Sequence, residues 1–293
     1  MSLTYDSPLY RPPSEARSLI FQVTLGCSFN ECSFCDMYRS KEYSERPWDQ
    51  IKTEIDLMAR HMPGTSRIFL ADGDALNLDT DYIVKIVTYL RSKFPALERI
   101  SCYAMPMNIL KKKPEELSRM HKAGLGMLYL GIESGSDTVL RKVTKGALGS
   151  TIIKAVNKAK AAGYIMSCMV ILGLGGKKYS SEHISQTVSV INACTPNYVG
   201  ALTLYLENGI KDEFISKYAG EFERLNDEES LQELKQLIDG IEAKTNIIFR
   251  ANHGSNAYTI KGTFPHDKEE MLKQIEWMSK HPETARHPGL RGF

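Results

Sequence analysis

Short apolar runs alternate with amphipathic segments along most of this chain, and that alternation restricts the fold more than any other feature. Six runs read as strands: 18–25 (SLIFQVTL), Arg67–Ala71 (RIFLA), 99–104 (RISCYA), 127–132 (MLYLGI), Ile165–Leu172 and 198–206 (YVGALTLYL). Between them lie segments with apolar residues at helical spacing, such as Ile51, Ile55, Met58 and Met62 in 47–62, and Ile184, Val188 and Ile191 further on. Pro114 near the start and Gly124 at the end bracket one such helix, and Ser150 is expected to cap another over 151–162. The strands are apolar throughout instead of at every second residue, which is the pattern of a parallel sheet covered by helices. Only 245–249 (TNIIF) offers a further strand, so the chain falls short of the eight strands of a closed barrel. The expected fold is α/β, an open or partial (β/α)6 TIM-like barrel, with a doubly wound sheet as the alternative. In either, chemistry belongs in the loops after the strands. Beyond Leu206 the pattern turns mainly helical (roughly 211–218, 227–243 and 267–279). Residues 1–210 are therefore read as the core and 211–293 as a C-terminal extension packed on it.

Charge excludes some partners. Lys plus Arg number 37 and Asp plus Glu 35, a net charge of +2, which gives no electrostatic case for nucleic acid or an anionic membrane. The longest apolar stretch, 168–172 (CMVIL), is far below the ~20 residues of a membrane-spanning helix. The first residues, MSLTYDSPLYRPPSEAR, contain no apolar secretory core, so a cytoplasmic location is expected.

Six cysteines in a reducing compartment should be thiols, and their distribution is uneven. Cys102, Cys168 and Cys194 are scattered and read as small buried hydrophobes. Cys27, Cys32 and Cys35 form C-x4-C-x2-C directly after the first strand, in a polar loop where three unrelated core cysteines would be out of place. A structural zinc needs a closed tetrahedral shell, and the nearest histidines, His61 and His121, lie at no zinc-motif spacing. A plant-type [2Fe–2S] centre shares this spacing but needs a fourth cysteine, the first available being Cys102. The third reading is a [4Fe–4S] cluster on three protein ligands, with one iron left open for a small molecule.

Motifs elsewhere favour the third reading. Phe34 precedes the last cysteine of the loop; Asp72-Gly73-Asp74 follows the second strand; Gly131-Ile132-Glu133-Ser134-Gly135-Ser136 follows the fourth; and Gly173-Leu174-Gly175-Gly176 follows the fifth. In this order and on these strand ends, the chain resembles the radical S-adenosylmethionine (SAM) superfamily, from about Ser18 to Leu206. The third motif is similar to that of its methylthiotransferase-like branch. Two stretches, YRPPSEARSLIFQVTLGCSFNECSFCDMYR and FRANHGSNAYTIKGTFPHDKEEML, resemble a group of B12-free Fe–S oxidoreductase-like proteins. The first cysteine gap is one residue longer than the superfamily's usual spacing, and Lys177 or Lys178 stands where a glutamate is often found.

The resemblance implies an enzyme with a [4Fe–4S] cluster on Cys27, Cys32 and Cys35 and with SAM as second cofactor. It implies reductive SAM cleavage to a 5′-deoxyadenosyl radical that abstracts hydrogen from a substrate, and a flavodoxin- or ferredoxin-type electron donor. A [2Fe–2S] ferredoxin-like carrier is the alternative. SAM contacts are implied for Phe34, for Asp72, Gly73 and Asp74 at the amino group, for Glu133 and Ser134 near the ribose, and for Gly173, Gly175 and Gly176 at the adenine. One of Arg141, Lys142 and Lys145 could meet the SAM carboxylate. The 26 residues before Cys27 are expected to hold no cobalamin domain.

Residue types alone leave several of these positions open. Asp72 and Asp74 also suit a turn around Gly73, and Glu133 also suits a helix N-terminus. The three glycines lack the spacing of a dinucleotide fingerprint and would let backbone approach a flat ligand. Tyr103, Met105, Tyr205 and Glu207 stand at the ends of the third and sixth strands and could line a lumen. The polar run with Arg250, Asn252, His253 and Asn256 reads equally as a substrate loop or as a capped turn.

Overall fold

The computed structural model describes Leu3, residues 5–206 and residues 208–292. Its chain forms two compact units, whose boundaries fall in the loop around residues 31–36 and inside one helix and two strands. The first comprises Met1–Asn30, Met37–Leu130 and Asn157–Met166, the second Glu31–Asp36, Gly131–Val156 and Ser167–Phe293.

In the first unit, β1 (Leu19–Gln22) is followed by a short antiparallel pair, β2 (Thr24–Leu25) with β3 (Ser44–Glu45). Then come α1 (Trp48–His61), β4 (Arg67–Ala71), α2 (Thr80–Lys93), β5 (Arg99–Tyr103), α3 (Pro106–Lys111), α4 (Pro114–Ala123) and most of β6 (Leu125–Glu133). The pairs β1–β4, β4–β5 and β5–β6 are all parallel. Ile51 and Ile55 of α1 and Ile83, Ile86, Val87 and Leu90 of α2 are buried, so each helix turns its apolar stripe inward.

The second unit holds the end of β6, α5 (Asp137–Lys142), most of α6 (Gly149–Ala161) and of β7 (Ile165–Leu172), α7 (Gly176–Cys194) and β8 (Tyr198–Thr203). The chain continues through α8 (Asn208–Lys217), α9 (Asp227–Gly240), β9 (Ile247–Ala251), β10 (Ile260–Phe264) and α10 (Lys268–Lys280). Strands β7, β8 and β9 are parallel, and β10 closes antiparallel on β9.

The α/β reading with parallel strands therefore holds, and three local expectations change. The 18–25 run splits into β1 and β2. The region after Leu206 carries a β9–β10 hairpin, which pairs with β8 through β9 and shows alternating burial. Ser150 lies inside α6 instead of capping it; the Asp137 carboxylate accepts from the Gly149 amide at 2.9 Å.

One buried acid ties the lead-in to the sheet. Glu15 is fully buried, and its Oε1 accepts from Arg99 and Ser101 at 2.9 Å and from the Tyr129 hydroxyl at 2.5 Å, while Oε2 takes the Ser18 hydroxyl. Removing it leaves a guanidinium and three buried hydroxyls, those of Ser18, Ser101 and Tyr129, without this acceptor. Glu15→Ala should lower unfolding free energy by about 3 kcal/mol in urea titration, and a loss under about 1 kcal/mol would show the cluster to be dispensable.

Candidate functional site

Backbone bonds join the loops after β1 and β4 in the first unit. Val23 N–H donates to Ala71, Asp72 N–H to Thr24 and Gly73 N–H to Gly26, at 2.6, 3.1 and 3.1 Å. Cys27 follows at once. Gly73 is packed so closely that a Cβ there would lie 3.2 Å from the Cys27 Cβ and 2.5 Å from the Tyr38 ring.

Both flanking carboxylates are buried and engaged. Asp72 accepts from the Gly26 amide and Gln22 at 3.2 Å and from Lys41 at 3.0 Å; burial pushes its carboxyl up, against Lys41 and Gln22. It thus ties the end of the cysteine loop to the sheet. Asp74 accepts from Ser28 and Asn108, and burial pushes it up to about 6 against those bonds. Tyr103 stands edge-on to Phe69 at 5.1 Å, and Met105 caps α3, both half-buried.

In the second unit, Cys35 N–H donates to Cys32 at 3.1 Å, and Ser33 N–H donates to Val143 at 3.0 Å, which holds the loop to the end of α5. Ser33 is fully buried, and its hydroxyl finds no hydrogen-bond partner among the described residues. Phe34 packs against the cluster of Val139, Val143, Leu174, Leu204, Phe214 and Tyr218. Lys145 lies 5.8 Å from the Phe34 ring and 2.8 Å from Glu133. Burial works against its charge, but the negative charge of Glu133, then that of Cys32 and Cys35 when ionised, outweighs it and holds the ammonium at about 12. Of the other two bases, Arg141 is exposed and Lys142 lies over the Tyr179 and Tyr218 rings.

Helix α7 holds the segment after β6. Gly135 N–H donates to Thr187 at 2.8 Å, Ser136 Oγ to Glu182 at 2.5 Å, and Ser134 Oγ lies 2.8 Å from His183 Nδ1. His183 Nε2 faces the Ile171 carbonyl at 3.0 Å, and burial keeps the ring neutral, at about 4. Nε2 must then carry the proton, so Nδ1 accepts from Ser134. Glu133, with φ 59°, pairs with Lys145 and caps no helix; the cap of α5 is Ser136, whose Oγ accepts from Val139 N–H. After β7, Gly173 and Gly176 adopt φ 77° and 59°. The carboxylate of Glu233, from α9, accepts from the Gly173 amide at 2.6 Å.

The later polar run is knit into the hairpin. Arg250 lies on β9 and donates to the carbonyls of Phe249 and Gly262, while buried Asn256 bonds Thr203 and Ala201 of β8. His253 Nδ1 meets Ser255 at 3.0 Å, and Arg286 donates to the His253 carbonyl. These bonds fix the backbone of the run. Asn252 is exposed, Tyr205 is half-buried and Glu207 lies outside the described residues.

Sequence reasoning missed Ser33, Glu182, His183, Thr187 and Glu233. Apart from Ser33, which carried no signal beyond its place between the cysteines, each acts on a partner far along the chain, where no local pattern points.

All six cysteines are thiols; Cys27, Cys32 and Cys35 are partly accessible and the other three buried. Burial, then Asp74, pushes the Cys102 thiol up, so the fourth thiolate of a [2Fe–2S] centre would be a core residue. Among the described residues no three His, Cys, Asp or Glu side chains are grouped to hold a single ion. A cubane asks for something else, since each cysteine sulfur binds a separate iron. The buried Ser33 donor beside Cys32, with the Lys145 ammonium nearby, fits an anionic cluster whose sulfurs accept hydrogen bonds.

The sequence matches the Radical SAM superfamily over residues 21–189. The protein belongs to that superfamily, whose members are enzymes that use a [4Fe–4S] cluster and SAM. More particularly, it is 23% identical over 231 residues to 4′-phospho-dehydrooxetanocin synthase of Priestia megaterium, covering 69% of this chain and 30% of that protein. The chain thus spans about a third of that relative. Among solved structures, methylornithine synthase is similar at TM-score 0.53 and 17% identity, covering 91% of this chain and 84% of that one. The radical SAM methyltransferase TsrM from Kitasatospora setae is similar at TM-score 0.51 and 16% identity, over 64% of this chain and 36% of that one. These likenesses bear out the TIM-barrel-like radical SAM fold. No helix among the described residues is long and apolar enough to cross a membrane.

Proposed function

We propose that this protein is a cytoplasmic radical SAM enzyme in which Cys27, Cys32 and Cys35 hold the cluster and hydrogen is abstracted from an organic substrate. The observation that carries this reading is the C-x4-C-x2-C loop itself, with three partly accessible cysteines and a buried Ser33 hydroxyl that has no hydrogen-bond partner among the described residues. When bound, the cluster and SAM supply reductive cleavage of the sulfonium and a 5′-deoxyadenosyl radical. The chain supplies position and exclusion of water. Asp74 is assigned to the SAM ammonium, Asp72 and Gly73 to shaping that loop, and Lys145 to the SAM carboxylate as the one of the three bases that lies beside Phe34 and Glu133. Glu133 and Ser134 are assigned to the ribose side, Gly173, Gly175 and Gly176 to the adenine, and Phe34 to packing of the loop. Tyr103, Met105, Tyr205, Asn252 and His253 are assigned to the substrate side, and a flavodoxin- or ferredoxin-type protein to electron delivery. Residues 1–210 form the core in this reading and 211–293 its extension.

Anaerobic reconstitution tests it. Iron and acid-labile sulfide should each reach about four per chain. With dithionite, SAM should then yield 5′-deoxyadenosine and methionine even without substrate. SAM left intact by fully loaded, reduced protein would overturn the reading.

A further inference from the structure

We propose that Glu233 is a positioning residue for the adenosyl end of SAM, holding the Gly173 amide so that the glycine segment keeps the backbone shape the ligand meets. This rests on the reading that residues 173–176 take the adenosyl end. The side chain sits among Leu231, Leu234, Leu237 and Ile238 on the buried face of α9, only 1% exposed. A leucine would serve packing there, and a buried carboxylate is costly unless bonded. Its bonds go to one place. Oε2 accepts from Gly173 N–H and Oε1 from the Ser180 hydroxyl, both at 2.6 Å, so one carboxylate spans the glycine turn and the start of the second turn of α7. The same junction is tied again: Lys177 N–H donates to the Glu223 carbonyl at 2.8 Å, and its ammonium meets Glu223 at 2.7 Å and Glu229 at 3.0 Å. The residues next to the glycine turn, Lys177 and Lys178, are basic, and the carboxylate that holds the turn comes from 60 residues away.

The carboxylate can titrate in a useful range. Burial pushes it up to about 7 against the bonds from Ser180 and Gly173. The charged groups on the packed helices are occupied elsewhere: Lys177 as above, Lys178 with Glu221, Lys235 with Glu276, and Lys268 of α10 with the Asp239 and Ile241 carbonyls. His183 of α7 is neutral in this range. Above about 7 both oxygens accept; below it one carries a proton, and the grip on the amide or on Ser180 loosens. Fold stability runs the other way. The native value lies above the ordinary 4.5, so this group's contribution falls as pH rises from there to about 7. Opposite trends separate ligand positioning from bracing.

The test is anaerobic calorimetry of the cluster-loaded full chain with 5′-methylthioadenosine, which lacks the amino and carboxylate groups of SAM and so does not sense Asp74. Wild-type affinity should rise with pH, with a midpoint near 7. Glu233→Gln should bind about tenfold more weakly at high pH and show no such midpoint. Ser180→Ala removes a bond that favours the ionised form, so its midpoint should move up. This second variant decides the matter if Glu233→Gln does not fold. A Glu233→Gln profile equal to wild type, an unmoved midpoint in Ser180→Ala, or altered melting with unaltered binding would overturn the proposal. Loaded wild-type protein that binds neither 5′-methylthioadenosine nor SAM would overturn the SAM-site reading beneath it.

Discussion

Replacing any one of Cys27, Cys32 and Cys35 with alanine is expected to abolish the brown chromophore of the reconstituted protein and all SAM cleavage. Cys102→Ala, Cys168→Ala and Cys194→Ala should retain both. Three ligands on four irons leave one iron open, so losing one leaves a second iron without a protein ligand. The three scattered cysteines cannot substitute, because they are buried in the core, and burial pushes the Cys102 thiol up, away from the thiolate a cluster needs. Their alanine variants should cost only packing, about 1 kcal/mol each. Iron analysis and visible absorbance read the first expectation, and product chromatography the second. Loss of the chromophore in Cys102→Ala would overturn the assignment and restore a four-cysteine centre.

The order of chemistry along the chain was legible because each motif sits at a strand end that its own apolar run announces. Arg67–Ala71 and Ile165–Leu172 are strands β4 and β7 to the residue, and Pro114 and Gly124 bound α4 as expected, with Gly124 at φ 124°. Strand β10 was not legible. Residues 260–264 (IKGTF) carry a lysine and a glycine, and they become a strand only by pairing with β9. The supports of the site were hidden for a related reason. His183 and Thr187 lie on an α7 face that reads as ordinary helix, and their partners Ser134 and Gly135 are 49 and 52 residues earlier. Asp72 is the converse case. Its motif was plain, but its bonds to Lys41, Gln22 and Gly26 show a carboxylate that braces the cysteine loop, which motif position alone does not reveal.

Gly135→Ala should be the most damaging single change outside the cysteines. A Cβ at this position would lie 2.1 Å from the Gln186 carbonyl oxygen and 2.4 Å from the Thr187 nitrogen. Both atoms belong to the backbone of α7, which cannot swing aside as a side chain can. The segment after β6 must therefore lift off the helix, and with it go the bonds Gly135–Thr187, Ser134–His183 and Ser136–Glu182. At about 1 kcal/mol each, three lost bonds correspond to a fall in SAM affinity of about a hundredfold. Stability should drop by about 3 kcal/mol, at the upper end of overpacking costs. Thr187→Val keeps the shape and removes one acceptor, so it should weaken SAM by about tenfold with little loss of packing. Iron content should be unchanged in both, because the cysteine loop bonds instead to Val143, beyond this segment. Calorimetry with SAM and iron analysis on the same preparations separate the outcomes. Unchanged SAM affinity in both variants would remove residues 133–136 from the SAM site. Iron lost in parallel with affinity would make the segment a support of the cysteine loop instead.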